Sequence, residues 1–147
     1  MNRNRSSTFL RSDGGTAAIE FGMVALPLLM LVAGIFEFGR LYWTQEALQE
    51  SATAGARCIA VLNSSCASGG AYSSGNALTY VQGVASSWGI TIPSADVTST
   101  NSVSCGGIAG FSQVQITYTF TTLIPHLIPI TGSGTSLTVK SCYPNNH

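Results

Sequence analysis

The chain has 147 residues, which allows either one domain of ordinary size or a membrane segment followed by a small domain. Charged residues make up 8% of it, and six basic residues balance six acidic ones, so no basic patch exists and we expect no nucleic-acid partner. After Arg57 the only charged side chains are Asp96 and Lys140, so the polar surface of that part must come from uncharged side chains.

The first 36 residues predict a cytoplasmic leader and a membrane helix. Residues 1–15 are polar and include arginines, and basic residues beside a span favour the cytoplasm. Residues 16–36 are predominantly apolar, and Glu20 is their only ionisable side chain. At about 1.5 Å per helical residue they cover ~31 Å, about the hydrocarbon thickness of a bilayer. We therefore expect residues 1–15 to be a leader and 16–36 to be a transmembrane helix. The apolar run is longer than that of a secretory signal peptide, although cleavage by signal peptidase near Ala33 is an alternative.

The helix is predicted to continue beyond the membrane over residues 37–62 as a periplasmic, amphipathic segment. One face carries apolar or small residues at helical spacing, namely Leu41, Leu48, Ala52, Gly55, Ile59 and Leu62. The charged residues lie mostly away from this face and are expected to be solvated, namely Glu37, Arg40, Glu46, Glu50 and Arg57. Tyr42 and Trp43 predict an aromatic belt at the outer membrane boundary.

Residues 63–147 predict a small exported domain stapled by disulfides. Residues 63–70 have the composition of a loop, and the apolar spacing from Ala77 to Trp88 predicts a second, shorter helix. Three strands are predicted: a polar, Thr/Ser-rich one over 97–105, a strongly alternating one over 111–122 and a final one over 136–143. A glycine-rich turn over 106–110 precedes the second strand, and an apolar loop over 123–130 follows it. The fold class is therefore α+β, with a long N-terminal helix packed on a small antiparallel β-sheet.

The four cysteines all follow the predicted membrane helix, so export would place them in an oxidising compartment and favour two disulfides. Three pairings are open to four cysteines. The simplest one joins Cys58 to Cys66 across the loop and Cys105 to Cys142 between neighbouring strands or between a strand and its loop. Zinc is an alternative, but no Cys-x-x-Cys spacing occurs and the histidines have unrelated spacings, so we expect no metal.

An enzymatic function finds little support in the sequence. A catalytic group would have to come from Asp96, His126 or His147, which lie at turn-like or terminal positions. His126 follows Pro125, where a structural histidine is the simpler interpretation. No phosphate-binding glycine loop or dinucleotide motif occurs, so we expect neither catalysis nor a cofactor.

The start of the apolar helix resembles a known processing site. A cut after Gly15 would place Glu20 fifth and Phe21 sixth in the mature chain, and this order resembles the type IV prepilin site. The wider segment, roughly residues 14–60, resembles the TadE-like family of tight-adherence (Flp-type) pilus proteins. The resemblance is carried by Gly15-Thr16-Ala17-Ala18-Ile19-Glu20-Phe21, Leu26-Pro27-Leu28-Leu29, Ile35-Phe36-Glu37-Phe38-Gly39-Arg40-Leu41-Tyr42, Gln45-Glu46-Ala47-Leu48-Gln49 and Gly55-Ala56-Arg57.

The resemblance implies that a prepilin peptidase cuts between Gly15 and Thr16. A cut after Gly14 would move Glu20 to sixth, so Gly15 is preferred. It also implies that Glu20 meets the new N-terminal amine of a neighbouring subunit; the alternative is that Glu20 reaches headgroup water near the interface. Many such sites have tyrosine at the sixth position, and Phe21 lacks its hydroxyl group.

The function expected from the resemblance is that of a minor pilin or pseudopilin needed for assembly of a Flp-type pilus. The expected partners are the prepilin peptidase, other pilin or pseudopilin subunits, the inner-membrane assembly platform and the lipid bilayer. The expected location is the bacterial inner membrane, with the N-terminus cytoplasmic and the C-terminal domain periplasmic, or the cell surface within a pilus. The alternatives are a permanently anchored periplasmic adaptor and an exported binding domain with an uncleaved anchor.

Overall fold

The computed structural model of the chain describes residues 14–123 and 134–146. Contacts divide the chain into a first unit, Met1–Glu37, and a second unit, Phe38–His147, and each is described by itself. The elements in chain order are α1 (Gly14–Ala60), β1 (Ala67–Ser68), β2 (Ala71–Tyr72), α2 (Ser74–Ser87), a 3-10 turn (Ser94–Asp96), β3 (Val97–Cys105), β4 (Ile108–Phe120) and β5 (Thr135–Pro144). This order confirms the α+β class, with a long N-terminal helix followed by a small antiparallel sheet.

Helix α1 runs without a break through Pro27 and ends in a well-defined capping motif. Leu62 adopts a left-handed conformation with φ of 48°. Its N–H donates to the carbonyl of Ile59, and the N–H of Asn63 donates to the carbonyl of Cys58, at 3.0 Å in each case. These two bonds form a Schellman motif, which satisfies carbonyls that the last helical turn would otherwise leave without donors.

The core of the second unit lies between the end of α1, helix α2 and the sheet. The predicted apolar face of α1 is buried at Leu48, Ala52 and Ile59. It belongs to one cluster with residues of α2, β4 and β5, namely Ala77, Val81, Ala85, Val114, Ile116 and Val139. Each large aliphatic side chain buried in this way contributes about 1.5–3 kcal/mol to folding, so this face holds α1 to the rest of the unit.

The sheet has the order β3-β4-β5 and is antiparallel throughout. Strand β4 is central, and its predicted alternation is confirmed, because Val114 and Ile116 point into the core between more exposed neighbours. The predicted turn over 106–110 is too long. Gly106 and Gly107, both with positive φ, complete the reversal, and the strand already begins at Ile108.

The composition of residues 63–70 predicted a loop, but part of this segment is a strand. Strands β1 and β2 form a minimal hairpin around Gly69 and Gly70, both with positive φ. The hydroxyl group of Tyr72 donates to the carbonyl of Ser99 at 2.9 Å and thereby ties the hairpin to β3. The pairing covers two residues per strand, which is too short for an alternation pattern to indicate.

Only some of the charged side chains that were predicted to be solvated over residues 37–62 are exposed. Glu46, Glu50 and Arg57 are exposed, whereas Glu37 is 3% exposed and Arg40 is half-buried. The expectation is therefore wrong for Glu37, because helical spacing shows which residues share a face but not what covers that face.

Several predictions fall on residues outside the described ranges. These are the leader up to residue 13, most of the apolar loop 123–130 together with His126, and His147.

Candidate functional site

The predicted cleavage site lies in the first turn of α1. Gly15 and Thr16 are both exposed there. A Cβ atom added to Gly15 would meet no atom within 4 Å, apart from its own helix and chain neighbours. Within the described residues, then, packing does not require a glycine at position 15.

Glu20 and Phe21 lie one turn further along α1 and are also exposed. Because Glu20 follows Thr16 by four residues, the two side chains share a face of the helix. The structure thus brings the four predicted processing and assembly residues together in the first two turns and leaves them accessible.

The rest of the first unit's helix presents an uncovered apolar surface. No residue of its most apolar 18-residue window is buried, and α1 is long and apolar enough to cross a membrane. The exposed large side chains are Ile19, Phe21, Met23, Val24, Leu26, Leu28, Leu29, Met30, Leu31, Val32, Ile35 and Phe36. An apolar surface of this extent marks a membrane or protein contact.

The four cysteines form two disulfides in the second unit, in the pairing that the sequence favours. Cys58 and Cys66 join the end of α1 to the segment before β1, with 5.9 Å between their Cα atoms. Cys105 and Cys142 join β3 to β5, with 6.5 Å between their Cα atoms. The sequence suggested that this bridge would join neighbouring strands or a strand and its loop. Instead, β4 lies between the two bridged strands. Two register shifts between Thr100 and Cys105 make the end of β3 irregular where it reaches the bridge.

An aromatic contact that the sequence did not predict lies on the second unit. The rings of Trp43 and Trp88 meet edge to face, with their centroids 5.4 Å apart. We call these two residues and the exposed Tyr42 the aromatic patch. Nearby in the chain, the guanidinium carbon of Arg40 lies 5.2 Å from the ring centroid of Phe120, at the end of β4. The sequence predicted that Tyr42 and Trp43 form an aromatic belt, but no pattern in it linked Trp43 to Trp88, which lies 45 positions later.

In the part of the chain that the structure describes, no group of three or more His, Cys, Asp or Glu side chains could hold a metal ion. A cleft of about 410 Å³ lies on the second unit, between the end of α1 and α2, and its lining includes Glu50, Arg57 and Tyr80.

Comparison with known proteins agrees with this geometry. A family model described as TadE-like protein matches residues 15–57, from the predicted cleavage site to the last turns of α1. No curated protein and no solved structure matches the chain. The resemblance seen in the sequence is confirmed over this segment: residues 15–57 are a TadE-like segment.

Proposed function

We propose that this protein is a minor pilin or pseudopilin that takes part in assembly of a Flp-type (tight-adherence, Tad) pilus. The observation that carries the proposal is the TadE-like match, which begins at Gly15 and covers the uncovered apolar part of α1. The role is structural, not enzymatic. The alternative is a permanently anchored periplasmic adaptor that has the same helix but never enters a filament.

Before assembly, the protein would reside in the bacterial inner membrane. Residues 16–36 would cross the bilayer, with the arginine-rich leader in the cytoplasm and the second unit in the periplasm. The two disulfides support this orientation, since disulfides form and persist in the oxidising periplasm.

Maturation would consist of one cut by a prepilin peptidase between Gly15 and Thr16. Two features support this step: both residues are exposed, and Gly15 has no packing role in the described fold. The cut would create a new positive charge at the amine of Thr16, next to the apolar surface.

Assembly would then pair Glu20 of one subunit with the Thr16 amine of another. A carboxylate inside a membrane costs roughly 3 kcal/mol on insertion scales, and an opposite charge offsets part of that cost. The exposed apolar side chains around Glu20 would pack against neighbouring pilin helices. The inner-membrane assembly platform is the expected partner that receives the subunit.

Sheared surface filaments separate the two candidate functions. Cells carrying the protein with an epitope tag after residue 146 are sheared, and filaments and membranes are probed for the tag. A filament subunit is expected in both fractions, enriched with the major pilin. An adaptor would be found in the membrane fraction alone, and that result would contradict the filament role.

A further inference from the structure

We propose that the second unit binds the headgroup region of a phospholipid bilayer through the aromatic patch, with Trp88 inserted beside Trp43. The partner is the lipid surface itself. The proposal rests on the proposed insertion of residues 16–36 in a membrane, but not on cleavage or on entry into a filament.

The first support is the exposure of the rings. Tyr42 is 66% exposed, Trp43 56% and Trp88 41%, although Trp43 and Trp88 contact each other. These are the only tryptophans of the chain, and neither belongs to the buried core. Trp and Tyr combine an apolar ring with a polar N–H or O–H group, and they are enriched where a membrane meets water.

The second support is the level of the patch along α1. Tyr42 and Trp43 follow Phe36, the predicted end of the span, by six and seven residues. Trp and Tyr are enriched where a membrane meets water, so aromatic residues that follow the predicted span this closely in the chain are expected at the headgroup level.

The third support is that Trp88 belongs to another element. It caps the C-terminal end of α2, and its contact with Trp43 brings that end to the same part of α1. The Arg40–Phe120 contact likewise brings the end of β4 to this part of α1. The opposite end of β4 has no tryptophan and is closed by a glycine turn and the Cys105–Cys142 disulfide. Both tryptophans of the chain thus lie together at the part of the second unit that is closest in sequence to the span.

Two single-tryptophan chains make the proposal measurable. In the full chain, Trp43→Phe leaves Trp88 as the only tryptophan and keeps an aromatic partner for it, and Trp88→Phe leaves Trp43. Each chain is reconstituted in phosphatidylcholine vesicles, with or without bromine near the top of the acyl chains, and tryptophan emission is compared. Bromine at that depth quenches rings in the interface. We expect Trp88 to be quenched within a factor of about two of Trp43, because both rings occupy the same layer.

A matched control places tryptophan at the other end of the unit. Ile108, exposed at the start of β4, is replaced by Trp in a chain that carries both Trp43→Phe and Trp88→Phe. This ring is expected to stay in water and to show no quenching by brominated lipid. If Trp43→Phe lowers the yield of folded protein, Trp43→Tyr serves the same purpose.

The outcomes are distinct. Quenching of Trp43 without quenching of Trp88, in a chain that floats with the vesicles, would overturn this proposal and leave the pilin function intact. A chain that does not float with vesicles would contradict both the span and the lipid contact. A blue-shifted Trp88 that brominated lipid fails to quench would mean that another copy of the chain covers the ring, and it too would overturn the proposal.

Discussion

The backbone of Gly55 in α1 packs directly against the side chain of Val81 in α2. A Cβ atom at Gly55 would collide with Cγ2 of Val81 and would lie 3.3 Å from Cγ2 of Val114 in β4. Among the described glycines, Gly55 leaves the least space for a side chain. The long helix, the short helix and the central strand therefore approach one another closely at this position. The residue also falls inside the TadE-like segment.

Gly55→Ala is expected to destabilise the second unit by about 1–3 kcal/mol, because an added methyl group overpacks a filled core. Helix propensity alone would predict the opposite sign, since alanine favours a helix interior by roughly 1 kcal/mol over glycine. The measurement is chemical unfolding of the full chain in detergent. Gly83→Ala is the matched control, because that glycine lies in α2 and its added Cβ would meet no atom within 4 Å. Equal stability of the two variants would show that the close approach does not exist.

The two disulfides are expected to contribute unequally to stability. They close loops with sequence separations of 8 and 37 residues. In the chain-entropy account, removing the short bridge (Cys58→Ala with Cys66→Ala) costs ~2.5 kcal/mol, and removing the long bridge (Cys105→Ala with Cys142→Ala) costs ~4 kcal/mol. Unfolding of both double variants by denaturant measures these losses. Peptide mapping without reductant should recover the same two pairs, and a mixed pairing would contradict the packing of β3 and β5 on β4.

Glu20→Ala is expected to leave cleavage intact while reducing the number of pili at least about tenfold. The reason is that a buried amine without its carboxylate partner costs about 3–5 kcal/mol. Electron microscopy counts the pili, and immunoblotting follows the mature form. Glu46→Ala removes an exposed carboxylate from the same helix and should assemble normally. Normal piliation of the Glu20 variant would exclude the ion pair.

Features set by neighbours along the chain could be predicted from the sequence. Helix α1 was expected to begin near residue 16 and end near Ile59, and it spans Gly14–Ala60. Strand β3 was expected over 97–105 and is found at Val97–Cys105. In both cases the signal is local, because the apolar spacing of the helix, and the Thr/Ser-rich composition of the strand with the glycines that follow it, are visible in one stretch of sequence.

Features set by distant neighbours could not be predicted. The buried hydroxyl group of Ser112 contacts the amide oxygens of Asn101 and Asn145, at 3.1 and 2.6 Å. These residues come from three different strands or strand ends and have no shared pattern in the sequence. The Trp43–Trp88 contact was missed for the same reason. The candidate site could be proposed from the sequence because Gly15, Thr16, Glu20 and Phe21 form a single local motif, and the roles of these residues stay predictions.

The intact mass of the membrane-extracted protein shows whether a prepilin peptidase processes the chain. In cells with an active prepilin peptidase, we expect residues 1–15 to be lost and the mature chain to begin at Thr16. In Gly15→Ala the full-length mass should persist, with an unchanged fold, because nothing packs against that position in the described structure. A full-length mass for the unaltered chain in cells with active peptidase would exclude cleavage between Gly15 and Thr16.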